Sequence, residues 1–444
     1  MCAEPQLQLN LREACATSGD LPMPFTSSVR TWLQGPGLWV FTLIAWCATR
    51  YFQLEILGRG TGNDVWLYLR YAGDWASGAA PYVDFHPEYP PGSLPVFMAP
   101  YLVFGRHAYD QSFAIAMGVF DGIACLLAVA WTRRQSGLSA RAPWLAALFY
   151  LASSTALFPV LLTRFDLVPG VLLLAALYAT CSPGGNARGA LLLGIAGGVK
   201  LWPFALVPLW CLRAFRRGGL RGAFGTGMWL VAGGLLIALP CLPRAGLHVL
   251  DFLRYHADRG IQIECTWSTF ALIINALHIA SADVVHEYGA FHVAGPLASV
   301  FAKASVPALL ALALAPQVLA FRNGLGGERD ADGRIAMIAA LGSVLGFMVG
   351  GKVLSPQYML WVLPLLPAFA LGAATRAARV VLPLAALAVC GLTTLVYPYW
   401  SPALEMREPG HEAALFAVGS RNLLLFAAYI CTLWSLRRPV KADG

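Results

Sequence analysis

Five separated stretches of this chain carry polar residues that could do chemistry, although each adjoins long apolar runs. The richest covers residues 62–92 and contains four acids and a Pro-Pro break. The others are residues 164–166 (Arg-Phe-Asp), Lys200, residues 256–264 and residues 352–358. If the chain crosses a membrane so that all five meet on one side, they would form a site for a lipid-linked substrate.

Asp64 stands at the start of the richest stretch, four residues before Tyr68 and seven before Tyr71. At helical spacing these three side chains share one face. A carboxylate within reach of an acceptor hydroxyl can act as the general base of an inverting sugar transfer. The alternative is structural, because Asn63-Asp64 would also cap a short helix over residues 65–76.

The proline-rich end of this stretch, residues 82–92, is aromatic and acidic. Asp84, His86 and Glu88 could line a sugar or acceptor pocket with aromatic walls. The alternative is an interfacial belt, because Tyr and Phe favour the headgroup level of a membrane. The sequence leaves both interpretations open.

Several cations adjoin apolar segments at the same predicted level, and a lipid phosphate would need such partners. They are Lys200, His256, Arg259 and Lys352. Each alone could instead be a snorkelling side chain.

Arg164 and Asp166 flank the start of one apolar segment. They could pair with each other for purely structural reasons, or Arg164 could hold a phosphate. Asp121 lies inside an apolar span with no cation adjacent to it in sequence, and no role is assigned to it.

Composition places the chain among integral membrane proteins. It has 444 residues, of which 58% are hydrophobic and 12% charged, and its mean hydropathy is +0.63. Soluble domains contain about 25% charged residues. The net charge of +8 comes largely from Arg clusters in short loops between apolar runs, so it reflects topology rather than nucleic-acid binding.

The apolar segments predict an all-α polytopic protein with about 10–12 transmembrane helices. The Arg clusters place both termini in the cytoplasm by the positive-inside rule. The predicted organisation is a cytoplasmic tail (1–36), one transmembrane domain (37–436) and a short cytoplasmic tail (437–444). Residues 62–110 form a large first external loop and residues 243–299 a long external segment. Lys200 lies at the external apex between two short helices or two tilted ones.

Several blocks together resemble the polytopic glycosyltransferases of the GT-C superfold, and in particular glycosyltransferase family 87 of actinobacteria. The resemblance covers roughly residues 40–400. The blocks are Asp64 with Tyr68, GDWASGAAPYVDFHPEYPPGSLPVFMAP (73–100), TRFDLVPGVLLLAAL (163–177), GGVKLWPFALVPL (197–209), RGIQIECTWSTF (259–270) and SPQYMLWVLPLLP (355–367). The EYPP and SPQY pieces are the more specific ones.

This resemblance implies a GT-C-like helical bundle that moves a sugar, expected to be mannose, from a polyprenyl-phosphate donor to a lipid or glycan acceptor. The reaction would take place on the extracytoplasmic face of the plasma membrane. Asp64 matches the family's catalytic acid, and Lys200, Arg259 and Lys352 are nominated for the donor phosphate. No metal or other cofactor is expected, since protein cations can stabilise a monophosphodiester leaving group.

The nominated substrate contacts are Tyr68, Asp84, His86, Glu88, Arg164, Asp166, Lys200, His256, Arg259, Glu264, Lys352, Gln357 and Tyr358.

Two other functions remain open. A lipid transporter or flippase would place polar groups on both sides of a central site, often with repeat symmetry. A membrane scaffold without catalysis would leave the external acids and prolines unexplained. The sequence contains no Walker, HExxH or CxxC motif, so nucleotide-driven transport and zinc hydrolysis have no support.

Overall fold

Apolar runs of this length form helices because a helix satisfies its own backbone hydrogen bonds where water is absent. A computed structural model describes residues 35–437, apart from residues 59, 61, 62 and 374. Of the described residues, 77% are helical and 4% lie in strands. The predicted all-α polytopic class is confirmed. Nearly all of the predicted N-terminal tail, and residues 438–444, lie outside the described residues.

Within the described residues, five helical stretches are long and apolar enough to cross a membrane. They are Tyr109–Arg134, Trp202–Ala238, Pro296–Arg322, Arg376–Met406 and His411–Arg437. Shorter apolar helices are Ser93–Phe104, Leu167–Thr180, Arg334–Gly350 and Pro356–Leu371. The expected number of 10–12 crossings stays a prediction.

Further helices complete the order of elements. They are Pro36–Phe52 with a π-turn at Gln53–Leu57, Asn63–Ala76, Ala142–Ala156, Phe158–Leu161, Asn186–Val199, Leu242–Ala245, Gly246–Leu250, Phe252–Asp258, Thr266–Ala276 and Glu328–Asp330. Contacts divide the chain into residues 1–41 and 42–444. Of the first unit, the structure describes only the start of helix Pro36–Phe52.

A small antiparallel sheet lies inside the segment 243–299, where the sequence analysis predicted no strands. Its strands are β1 (Ile261–Gln262), β2 (Asp283–Glu287) and β3 (Ala290–Ala294), in the order β1-β3-β2. Gln262 pairs with His292 in this register. The sheet therefore fixes the residues that follow Arg259.

The helical break predicted around Lys200 is present. Helix Asn186–Val199 ends where Lys200 adopts an extended conformation, and a 3-10 turn at Trp202–Leu206 leads into helix Val207–Ala238. Gly194 lies against the carbonyl of Leu230 on the facing helix, so that a Cβ would clash there. Leu230 follows a kink at Gly218–Gly219 within Val207–Ala238, so this close contact joins helix Asn186–Val199 to the part of that stretch beyond the kink.

Arginines in a predicted cytoplasmic loop also have structural partners. The buried Arg213 forms an ion pair with Asp330 at 3.5 Å, and Arg217 Nε donates to the Gly326 carbonyl at 2.8 Å. Asp330 in turn accepts from the backbone N–H of Gly326 at 2.9 Å. Arg213 and Arg217, which the positive-inside rule assigns to the cytoplasmic side, therefore also hold the loop between helices Pro296–Arg322 and Arg334–Gly350 against Val207–Ala238.

Asp121 has a cation partner that the sequence did not reveal. The Arg50 Nε lies 3.2 Å from Asp121 Oδ2, and the carboxylate is fully buried. Trp46 Nε1 and the Tyr150 hydroxyl donate to the same carboxylate at 2.6 and 2.9 Å. Arg50 also donates to Ser154 Oγ at 2.6 Å. Three helices are therefore joined by one neutralised charge pair.

We expect Asp121→Asn to destabilise the protein strongly, because it leaves the buried Arg50 charge without its counterion. Breaking a buried pair in this way costs about 3–5 kcal/mol. Thermal unfolding in detergent, followed by size-exclusion chromatography, measures the loss. Asp110→Asn is the matched control, since Asp110 is exposed on the same helix. The double variant Arg50→Met/Asp121→Leu should recover much of the stability, and equal melting of Asp121→Asn and the control would contradict this role.

Candidate functional site

Asp64 and Arg164 form an ion pair. Asp64 lies in the first turn of helix Asn63–Ala76, and its Oδ2 contacts Nη1 of Arg164. The Asp64 side chain is 29% exposed, whereas that of Arg164 is 9% exposed. Arg164 Nη2 also donates to the Tyr397 hydroxyl at 3.2 Å. Arg164 therefore holds a partly exposed carboxylate and is itself held from the other side.

Asp166 and Lys200 form a second pair, which is more deeply buried. Lys200 Nζ lies 2.6 Å from Asp166 Oδ1, and Trp361 Nε1 donates to the same oxygen at 2.7 Å. The alternative in which Arg164 and Asp166 pair with each other is wrong. The two side chains lie two positions apart at the start of a helix, and each contacts a different segment.

Aromatic rings enclose the Lys200 ammonium. Its Nζ lies 4.6 Å from the ring centre of Phe165, 5.6 Å from Tyr89 and 5.8 Å from Tyr358. Such ring faces attract cations, more strongly where water is excluded. Because Asp166 already neutralises Lys200, this lysine stabilises the cluster and is a weaker candidate for binding phosphate than the sequence suggested.

Glu88 lies among tyrosines at the edge of this cluster. Its carboxylate interacts electrostatically with Lys200, Tyr71 and Tyr255. Burial, followed by the charge of Glu88, raises the pKa of Tyr71 to about 12. The half-buried Glu88 thus belongs to the same group as Lys200 and is positioned to accept hydrogen bonds.

Arg259 and Lys352 are brought together by main-chain pairing. The Lys352 carbonyl accepts from Gln262 N at 2.8 Å, and Leu354 N donates to Gln262 Oε1 at 3.1 Å. Lys352 Nζ donates to the Arg259 carbonyl at 2.6 Å. Within the described residues, Arg259 forms no ion pair, and its guanidinium lies 5.6 Å from the Tyr255 ring.

His256 is adjacent to this pair of cations. Burial, followed by the charges of Arg259, Lys200 and Lys352, lowers its pKa to about 4. A hydrogen bond to the Glu88 backbone acts in the opposite direction. His256 is therefore neutral near pH 7 and can donate or accept a hydrogen bond without adding charge.

The remaining predicted residues lie elsewhere or have structural partners. Asp84 accepts from Ala80 N at 2.6 Å and lies 3.6 Å from exposed Arg244, and His86 is exposed. The buried Glu264 receives Arg421 Nη1 at 2.6 Å. Tyr68 is buried, with its ring stacked 4.3 Å from that of Phe97.

Tyr358, at the end of the stretch 352–358, belongs to the cluster, and its ring is stacked 3.7 Å from that of Trp361. Gln357 is half-buried beside it.

Sequence reasoning missed Tyr397, Trp361, Tyr255 and Tyr89 as members of the cluster. Trp361 lies in the block 355–367 and Tyr89 in the block 73–100, which the sequence had already indicated. The polar atom of an aromatic residue, placed to bond a buried acid, was a signal that could have identified both. Tyr397 lies in an apolar run, 233 positions from Arg164, and no local pattern indicates it.

Within the part of the chain that the structure describes, no group of three His, Cys, Asp or Glu side chains could hold a metal ion. No protein-family model matches this chain, and no curated protein matches it significantly. The resemblance to glycosyltransferase family 87 therefore stays a prediction, and the cluster itself is the basis for a proposal of function.

We expect His256 to make the folded protein more sensitive to acid. Its folded pKa of about 4 lies below the ordinary value of about 6.5, so the unfolded state binds more protons between these values. Stability should fall as pH decreases from about 6.5 to about 4, by at most about 1.4 kcal/mol per pH unit before its partial exposure is considered.

The comparison is between the wild-type protein and His256→Asn, with melting temperatures recorded from pH 7 to pH 4. The variant should lose less stability over this range. His107→Asn serves as control because His107 is exposed. Parallel pH profiles for the wild-type protein and His256→Asn would contradict the assignment.

Proposed function

We propose that this protein is an inverting membrane glycosyltransferase that uses a polyprenyl-phosphate sugar as its donor. The supporting observation is that a partly exposed carboxylate, Asp64, held by Arg164, and a pair of cations, Arg259 and Lys352, interact electrostatically with members of one aromatic cluster. Arg164 links Asp64 to Lys200 through its charge, and Lys200 and Arg259 both act on His256. A base and a phosphate-binding group on one aromatic cluster are what this transfer requires.

In the proposed step, an acceptor hydroxyl attacks C1 of the donor sugar from the face opposite the phosphate. The new C1–O bond forms as the bond between C1 and the phosphate oxygen breaks, and polyprenyl phosphate leaves with the bonding electrons. Asp64 takes the hydroxyl proton as general base. Arg164 keeps the carboxylate ionised and in place, because a guanidinium favours the charged form of its partner.

Arg259 and Lys352 would receive the departing phosphate. Arg binds phosphate oxygens through a planar fork, and Lys provides a compact charge. The pairing through Gln262 holds both cations before substrate arrives, so the charge that develops meets donors that need little rearrangement. Lys200 and Asp166, which neutralise each other, would hold the aromatic rings of the cluster in place.

Glu88 and the surrounding tyrosines would bind the sugar. Carboxylates and tyrosine hydroxyls make hydrogen bonds to sugar hydroxyls, and ring faces cover the apolar side of a pyranose. Mannose is the first sugar to test, and the acceptor is a lipid or a glycan. The apolar helices support membrane location; the plasma membrane, an extracytoplasmic site and cytoplasmic termini belong to this proposal.

We expect Asp64→Asn to abolish transfer of labelled mannose from polyprenyl-phosphate-mannose to membrane acceptors. The loss should be about 10²–10⁴-fold, the usual contribution of a general base, with donor binding retained. Asp84→Asn is the matched control, since Asp84 closes an exposed turn and should leave the rate unchanged.

Glu88→Gln separates the two carboxylates of the cluster. Full activity in Asp64→Asn together with loss in Glu88→Gln would assign the base to Glu88. Absence of transfer by folded wild-type protein with every polyprenyl-phosphate sugar, together with movement of labelled lipid across proteoliposomes, would favour a transporter.

We expect Arg259→Gln to weaken the binding of the donor more than the binding of the acceptor. A hydrogen bond to a charged group contributes about 1.5–3 kcal/mol, so KM for the donor should rise roughly 10- to 100-fold. Steady-state kinetics with either substrate varied measures the difference. Arg254→Gln removes an exposed charge five residues away and is the control. An equal rise of KM in both variants would mean that the charge acts at a distance and makes no phosphate contact.

A further inference from the structure

The segment from Leu242 to Asp258 has a face that packs against the protein. It consists of the short helices Leu242–Ala245, Gly246–Leu250 and Phe252–Asp258. Ala245, Val249 and Phe252 are buried, at the three- and four-residue spacing of a helical face. This face is continuous with Tyr255 and His256, which belong to the candidate site.

A second face of the same segment is apolar and exposed. Leu247 is 84% exposed, Leu250 51% and Leu253 41%. These side chains are three residues apart, so they form one stripe beside the buried face. In water such a stripe would be unfavourable, at about 25 cal/mol for each Å² of apolar surface left exposed.

The third face is polar, and its charges are largely balanced. His248 Nδ1 lies 2.9 Å from Asp251 Oδ2, and Arg244 lies near Asp84 and donates to the Gly78 carbonyl at 2.7 Å. Arg254 is the further exposed cation. A segment with an apolar stripe between a packed face and a polar face has the composition of a helix that lies in a membrane interface.

The apolar stripe continues the surface of a helix that is long enough to cross a membrane. Leu235, Leu236 and Leu239, at the end of stretch Trp202–Ala238 and just beyond it, are all more than half exposed. Only residues 240–246, which include the first short helix, separate Leu239 from Leu247. The chain therefore leaves the apolar layer and immediately presents a further set of leucines.

We propose that residues 242–254 lie in the headgroup region of the bilayer, with Leu247, Leu250 and Leu253 inserted among the acyl chains. The occupant of the stripe is the lipid surface itself. The segment then carries Tyr255, His256 and Arg259 at the depth of the lipid phosphates. This placement concerns the membrane alone and holds whether or not the protein transfers a sugar.

The test uses full-length protein in lipid nanodiscs whose phospholipids carry radiolabelled acyl chains. The photoreactive amino acid p-benzoylphenylalanine replaces Leu247 in one sample and His248, on the polar face, in a matched control. After irradiation, protein from the Leu247 sample should carry several-fold more lipid label than the control. The label should persist at high salt, because insertion of leucines does not depend on long-range charge.

Equal labelling at positions 247 and 248, or none at 247 from protein that elutes as a folded species, would overturn the proposal. A crosslinked band of twice the chain mass would also overturn it, because the stripe would then contact a second copy. Neither result would affect the sugar-transfer assay, so failure of this proposal and failure of the proposed function can be distinguished.

Discussion

The candidate site depends on the buried carboxylate of Asp166. A charge in this environment is tolerated only when it is paired and hydrogen-bonded, and Asp166 obtains both from Lys200 and Trp361. The three residues come from three separate segments of the chain. Arg164 precedes Asp166 by two residues, and Tyr358 precedes Trp361 by three. The contacts that Lys200 and Trp361 make with Asp166 therefore also determine where the side chains of Arg164 and Tyr358 lie.

A second set of contacts extends the site from this centre to the cations. Gln262 joins the strand after Arg259 to the loop that carries Lys352, through one main-chain and one side-chain hydrogen bond. Behind it, Arg421 donates to the Glu264 carboxylate and to its carbonyl at 2.6 and 2.8 Å. Glu264, which was expected to contact substrate, therefore fastens the strand to helix His411–Arg437. The positions of Arg259 and Lys352 therefore depend on the hydrogen bonds of Gln262, which is neutral, and on the buried ion pair of Glu264 with Arg421.

The sequence predicted the helical class because apolar length is a local property that any window of residues shows. It also nominated Asp64, Glu88 and Arg259, because charged residues beside apolar runs are uncommon, and their roles stay predictions. It could not identify ion-pair partners, since Asp121 meets Arg50 and Arg164 meets Asp64 only after distant segments pack. The small sheet was missed because its strands are two to five residues long and are embedded in a mixed segment.

The distribution of charge bears on the donor that we propose, because it favours a phosphodiester over a diphosphate. Asp64 with Arg164, Asp166 with Lys200, and Glu264 with Arg421 each cancel. His256 is neutral, and burial together with the charge of Arg259 lowers the pKa of Lys352. Burial is the larger cause of this lowered pKa, repulsion from Arg259 adds to it and the charge of Asp258 opposes it, so a bound anion would favour the charged form of Lys352. The phosphodiester of the proposed donor carries one negative charge, which Arg259 and Lys352 would meet, whereas the greater charge of a diphosphate would call for more cations.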